Sequence, residues 1–175
     1  MTSKLQLFLE KIILYCGQAI SWLTLLMVII TFAIVILRYA FDTGWIAIQE
    51  SVTYLHAINF MMGAAFTLQR DKHVRVDIFY QSFSDKHKAL VDILGTILLL
   101  FPVSGFILWV SWDYVLASWT IKESSGEAGG LPWLYLLKTL LLIMPSLMII
   151  QGTAWLIKLI PTALGQKPIS SQLES

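Results

Sequence analysis

The chain alternates four long apolar windows, 19–37, 45–68, 90–116 and 133–156, with short polar stretches. At about 1.5 Å of rise per residue, each window supplies the roughly 20 residues that a helix needs to cross the hydrocarbon core of a bilayer. The pattern predicts an all-α membrane protein, a single domain of four transmembrane helices followed by a polar tail over 161–175. The first window runs unbroken to Arg38 with no small-residue cleavage site, so it is expected to stay as a helix.

The second window is less pure, because Glu50, His56 and Asn59 interrupt it. Gly63, Ala64 and Ala65 near its end are the small residues that let helices approach in lipid, so this helix is expected to face other helices on most sides. Pro102 and Gly105 predict a kink in the third helix. Pro132 is placed to start the fourth as its N1 residue, and Pro145 beside Ser146 to bend it.

Charge then sets orientation. Nine Lys and Arg residues flank the windows on one side: Lys4, Lys11, Arg70, Lys72, Arg75, Lys86, Lys88, Lys158 and Lys167. Only two, Arg38 and Lys122, lie on the other. The excess predicts that both termini are cytoplasmic. The cytoplasmic connection, 69–89, alternates bases with Val74, Val76, Ile78, Phe79 and Phe83. It reads either as a short amphipathic helix on the membrane surface or as an irregular solvated loop. Ser84 before Asp85 is a plausible N-cap for the third helix, and the outer connection, 117–131, is polar, glycine-rich and expected to be adaptable.

Composition narrows the function classes. With 57% hydrophobic and 13% charged residues, water is not the main solvent, and seven Trp and six Tyr suit the headgroup levels. A net charge of +1 gives no case for nucleic acid, and Cys16, the only cysteine, excludes an intrachain disulfide and reads as a small packing residue. Two haem-ligating histidines in the membrane core are lacking, because only His56 lies in an apolar window. There is no P-loop, dinucleotide fingerprint, His-x-x-x-His pair or carboxylate cluster, so no catalytic residue and no cofactor is assigned to the chain.

Intramembrane ionisable residues are where function is sought first, since an unpaired charge in hydrocarbon is costly. Glu50 lies five residues inside Trp45 and Lys138 five inside Trp133, each roughly 7–8 Å deep. Their matching depth predicts an ion pair. Other readings stay open: Glu50 as a proton or cation carrier, Glu50 paired with Arg38 while Lys138 snorkels, or Glu50 binding a partner subunit. Asp92 and Asp113 sit toward the ends of the third window, where water can reach them. His56, Asn59 and Gly63 share a stripe at i, i+3 and i+7, which predicts interhelical hydrogen bonding. A free-standing small transporter with Glu50 as its coupling acid is the competing function.

Several strings, in order, resemble the DctQ-like small membrane subunit of tripartite ATP-independent periplasmic (TRAP) transporters. They are Arg38-Tyr39-Ala40-Phe41, Trp45 with Glu50, Gly63-Ala64-Ala65, His73-Val74-Arg75-Val76-Asp77 and Gly130-Leu131-Pro132 with Lys138. The central string is close to the family's His-x-Arg-x-Asp signature. The resemblance implies a bacterial inner-membrane complex for uptake of an organic acid. In it a large membrane subunit carries the substrate path and sodium sites and moves as an elevator, and a soluble periplasmic protein captures the substrate. This chain would be the scaffold, in contact with the large subunit, the binding protein and lipid. With His56 and Asn59 from the polar stripe, the candidates for structural or interface roles are Arg38, Glu50, His56, Asn59, His73, Arg75, Asp77 and Lys138. Arg75 and Asp77 are expected to pair with each other, with the large subunit or with headgroups, or to lie in a solvated loop. The outer stretches 42–44 and 122–130 are expected to help dock the binding protein.

Overall fold

The computed structural model describes residues 4–70, 80 and 82–165. Among them the chain is helical with no strand, in four long rods: α1 (Lys4–Ala40), α2 (Ile46–Gln69), α3 (Asp85–Thr120) and α4 (Leu134–Ala163). Consecutive rods pair as two hairpins, α1 with α2 through a five-residue connection and α3 with α4 through a longer one. The hairpins join through α4, which packs against the other three helices. Ile13, Ala65 and Leu147 mark the buried point where α1, α2 and α4 meet, with Met62, Phe66 and Ile143 around them.

Three rods are long and apolar enough to cross a membrane: Leu7–Ala40, Asp85–Thr120 and Leu134–Ala163. The sequence pattern predicts four, and α2 is the exception. It has 24 residues, about 36 Å of helix, but Glu50, His56, Asn59 and its Gln and Thr residues dilute its apolar character. Large apolar side chains, among them Trp22, Phe32, Phe106 and Trp109, stand exposed on α1 and α3, as expected of surfaces that meet lipid or another membrane protein.

The helix boundaries depart from the sequence reading in physical ways. Helix α1 starts at Lys4, well before the apolar window, since Glu10 and Lys11 are good helix formers. Its far end turns at Asp42, whose φ of 50° is left-handed, with Thr43 N–H bonding back to the Leu37 carbonyl at 3.0 Å. Ser84 takes the N-cap position of α3, yet its hydroxyl bonds His87 Nδ1 at 2.7 Å instead of a backbone N–H. Trp133 is the N-cap of α4, so Pro132 precedes the helix instead of opening it, and Pro161 lies inside α4 rather than ending it.

The kink expected at Pro102 appears as a widened turn. Residues Thr96–Leu100 form a π-helical stretch, with Phe101 N–H bonding the Thr96 carbonyl. Proline has no N–H and its ring crowds the carbonyl four residues back, and moving to i→i−5 bonding relieves that crowding. Gly152 on α4 faces this turn. A Cβ there would meet Phe101 at 2.8 Å, Leu100 at 2.9 Å and Thr96 at 3.3 Å, so any larger residue would have to push these side chains aside. Near the start of α3, Asp92 accepts a hydrogen bond from the Tyr80 hydroxyl at 2.7 Å, so it is held by a partner rather than by water alone.

The α1–α2 contact also differs from expectation. A Cβ on Gly63 would meet nothing within 4 Å, so Gly63 does not seat a helix. The close approach is at Gly17, where a Cβ would fall 2.2 Å from the Phe66 ring, beside the buried Ala65.

Candidate functional site

At the end of the bundle that holds Trp45 and Trp133, Glu50 of α2 and Lys138 of α4 converge on the connection between α3 and α4. Helix α3 ends in a left-handed residue, Lys122 (φ 49°), and Glu123 N–H reaches back to the Ser118 carbonyl at 3.0 Å. This C-terminal cap satisfies a carbonyl that would otherwise be orphaned and turns Glu123 toward α4. The Glu123 carboxylate accepts a bond from Lys138 Nζ at 2.5 Å, and the ammonium also lies 4.1 Å from the centre of the Tyr114 ring. The Lys138 contact holds the Glu123 carboxyl below the usual carboxylate range. Lys122 caps an aromatic pair: its ammonium is 4.5 Å from the Trp119 ring and 4.9 Å from Tyr135, which meet edge to face. Trp119 Nε1 donates to Thr139 Oγ1 at 2.9 Å, tying the two helices beneath the loop.

The loop then folds over α2. Ser125 N–H bonds the Leu131 carbonyl at 2.9 Å, and Gly130 N–H bonds that of Glu127 at 3.0 Å. Glu50, half-buried on α2, accepts from the Ser125 hydroxyl and from Leu131 N–H at 2.6 Å. The Ser125 oxygen in turn accepts from Glu127 N–H at 3.1 Å. Gly129 supplies the left-handed step (φ 82°). At Gly130 a Cβ would come within 2.8 Å of Glu50 Oε2 and closer still to Ser125, so a side chain there would push the loop off the carboxylate. The connection is thus a closed clasp rather than the adaptable loop that its glycines suggest.

The expected pairing of Glu50 with Lys138 is not formed. Both oxygens of Glu50 are engaged by donors from the loop, which arrives over α2, and Lys138 is engaged by Glu123. Arg38 does not join Glu50 either. Gly17 against Phe66 and Thr24 against Asn59 fix an antiparallel register in which Arg38 is level with Trp45 and exposed, about 7 Å beyond Glu50. Asn59 Nδ2 donates to Thr24 Oγ1 at 2.7 Å across the α1–α2 contact. His56 instead points outward and stacks on the exposed Phe60 with centroids 6.5 Å apart. His73, Arg75 and Asp77, the surface-segment question and the Cys16 side chain lie outside the described residues.

Sequence reasoning missed Glu123, Ser125 and the Leu131 amide. Glu123 stood in plain view as an acid at the same end of the bundle as Lys138, but counting depth only within the apolar windows left it out. Ser125 and Leu131 carried no signal, because their roles depend on the fold of the loop. Asp113 lies exposed beside Trp109 and Trp112 in a separate groove between α3 and α4 that reaches Ser146. Among the described residues no group of three His, Cys, Asp or Glu converges as a metal site would require.

Searches of curated proteins and of solved structures returned no match. The DctQ component of the tripartite ATP-independent periplasmic transporters matches over residues 27–162, a stretch that opens inside α1, takes in the clasp and closes near the end of α4. DctQ proteins are the small membrane subunit of these inner-membrane systems and work with a large membrane subunit and a periplasmic binding protein. With more than half of its length matched and the resembling strings in order, this chain belongs to the DctQ family of TRAP transporter components.

Proposed function

We propose that this small subunit is a non-catalytic scaffold, in which a fixed outer platform, clasped by Glu50, is held at the periplasmic surface by four membrane-spanning helices. Family membership disfavours the free-standing transporter. The observation that carries the scaffold reading is the engagement of Glu50: a carrier must release its ligand, whereas this carboxylate terminates two loop donors on a helix end. Helix α2 counts as the fourth span because it packs antiparallel against α1 along its 24 residues, with Asn59 bonded to α1, Glu50 bonded to the loop and the side chain of His56 facing outward. Both termini are then cytoplasmic, a reading supported by the excess of bases at that end. The exposed apolar flanks of α1 and α3 serve the large subunit and lipid, and the clasp, with 42–44, meets the binding protein. Sodium coupling and the path of an organic acid belong to the large subunit.

Two substitutions at Glu50 test this in the assembled three-component system. Glu50→Gln keeps an oxygen for the Leu131 amide and turns an N–H toward the Ser125 hydroxyl oxygen, but cannot carry a proton. Glu50→Ala removes the acceptor altogether. Sodium-driven uptake is expected to persist in Glu50→Gln. In Glu50→Ala it should need several-fold more binding protein for half-maximal rate, with complex yield unchanged. Loss of uptake in Glu50→Gln, with the complex intact, would restore the carrier reading.

A further inference from the structure

At the end of the bundle opposite Glu50, Lys11 of α1, Arg70 just after α2 and Lys158 of α4 line one pocket of about 370 Å³. Leu7 and Leu14 give it an apolar wall, and Glu10 and Gln69 complete it. Three bases against one acid leave the pocket net positive. The bases come from three parts of the chain and are gathered by packing: Gln69 Nε2 donates to the Glu10 carbonyl at 2.6 Å, locking the α1–α2 crossing at this level. The Arg70 guanidinium lies 5.3 Å from the Phe66 ring centre, which braces its stem.

The level of the pocket is informative. Along α1, Lys11 is about 40 Å from Arg38, and along their own helices Arg70 and Lys158 are each about 38 Å from Trp45 and Trp133. A bilayer with its headgroup regions measures about 40–45 Å. If Arg38, Trp45 and Trp133 mark one headgroup layer, all three bases fall in the other. A phosphate there meets ammonium and guanidinium donors, and the acyl chain below it meets Leu14, about one turn deeper along α1 than Lys11.

We propose that this pocket binds the phosphate headgroup of an anionic phospholipid of the inner leaflet, held between Lys11, Arg70 and Lys158. The proposal rests on the four-span reading above, which thiol labelling tests independently. A free phosphate ion offers the same oxygens but nothing for the apolar wall, so lipid and ion are distinguishable.

The test is native mass spectrometry of the complex of small and large subunits in mild detergent, titrated with phosphatidylglycerol, phosphatidylcholine or inorganic phosphate. Phosphatidylglycerol should be retained over phosphatidylcholine. Its affinity should fall about fivefold in each of Lys11→Gln, Arg70→Gln and Lys158→Gln, while Arg70→Lys stays near wild type. Lys122→Gln, at the other end of the bundle, should leave it unchanged. Equal retention in wild type and variants, no preference between the two lipids, or full displacement of the lipid by inorganic phosphate would each overturn the proposal. So would a single variant that sheds the large subunit while keeping the lipid, since the bases would then be a protein contact.

Discussion

Replacing Gly17 by alanine places a methyl group 2.2, 2.3 and 2.6 Å from Cδ2, Cγ and Cε2 of Phe66. Ordinary carbon contacts lie at about 3.5–4.0 Å, so the overlap exceeds about 1 Å. Cγ is next to the stem of the ring, and ring rotation does not clear it. The whole side chain would have to swing, against the core formed by Ile13, Ala65 and Leu147. Overpacking of this kind costs about 1–3 kcal/mol, and alanine returns up to about 1 kcal/mol of helix propensity. The net expectation is a destabilisation of about 1–2 kcal/mol. Gly63→Ala is the internal control, because its methyl enters open space and keeps the propensity gain. Unfolding of the purified subunit by dodecyl sulfate, followed by tryptophan fluorescence, measures both. Adding Phe66→Leu to Gly17→Ala should recover much of the loss, since the two sites share one contact. If Gly17→Ala unfolds with wild type while Gly63→Ala unfolds early, the helix contact has been assigned to the wrong glycine.

Gly130→Ala should detach the loop from Glu50, seen as faster amide exchange at Leu131, while Gly126→Ala, with open space around it, should not. The Lys138 contact depends on pH in a defined direction. Because the Glu123 carboxyl sits below its ordinary value of 4.5, its stabilising effect is complete above that pH and is lost as pH falls through the lowered folded value. Exchange at Tyr135 N–H, which bonds the Glu123 carbonyl, should rise only below about pH 4.5, and Glu123→Gln should remove this dependence. Asn59→Leu should cost about 0.6 kcal/mol in the unfolding titration, the usual worth of an interhelical hydrogen bond in a membrane bundle, whereas His56→Ala should cost nothing in the isolated subunit. Gly152→Val should separate α4 from the π turn of α3 and lower the melting temperature more than Gly105→Val, whose site is open.

Helix number and order were legible because apolar windows of bilayer length have few other uses. Their weakest member was also visible in advance: Glu50, His56 and Asn59 are the residues that keep α2 below the apolarity of the other three. The π turn was half legible, since Pro102 signals disrupted bonding but not which turn absorbs it. Small residues misled at Gly63 and were overlooked at Gly17, because spacing on one helix does not reveal which face meets a neighbour. Depth counting placed Glu50 and Lys138 at the same end of the bundle yet paired them with each other. The missing physics was the loop, whose backbone amide and serine hydroxyl compete for Glu50 once the left-handed steps at Lys122 and Gly129 turn the chain back.

The central claim, a clasped loop at the periplasmic face of a four-span scaffold, is tested most directly by thiol chemistry at the loop tip. In a chain with Cys16→Ala, Glu127→Cys sits on an exposed, described residue, and Lys158→Cys sits at the opposite end of the bundle. In the assembled complex in intact cells, an impermeant maleimide added from the periplasm should label position 127 and spare 158. A short cross-linker should join position 127, and not 158, to the binding protein. Labelling of 158 from outside with 127 protected would contradict the account.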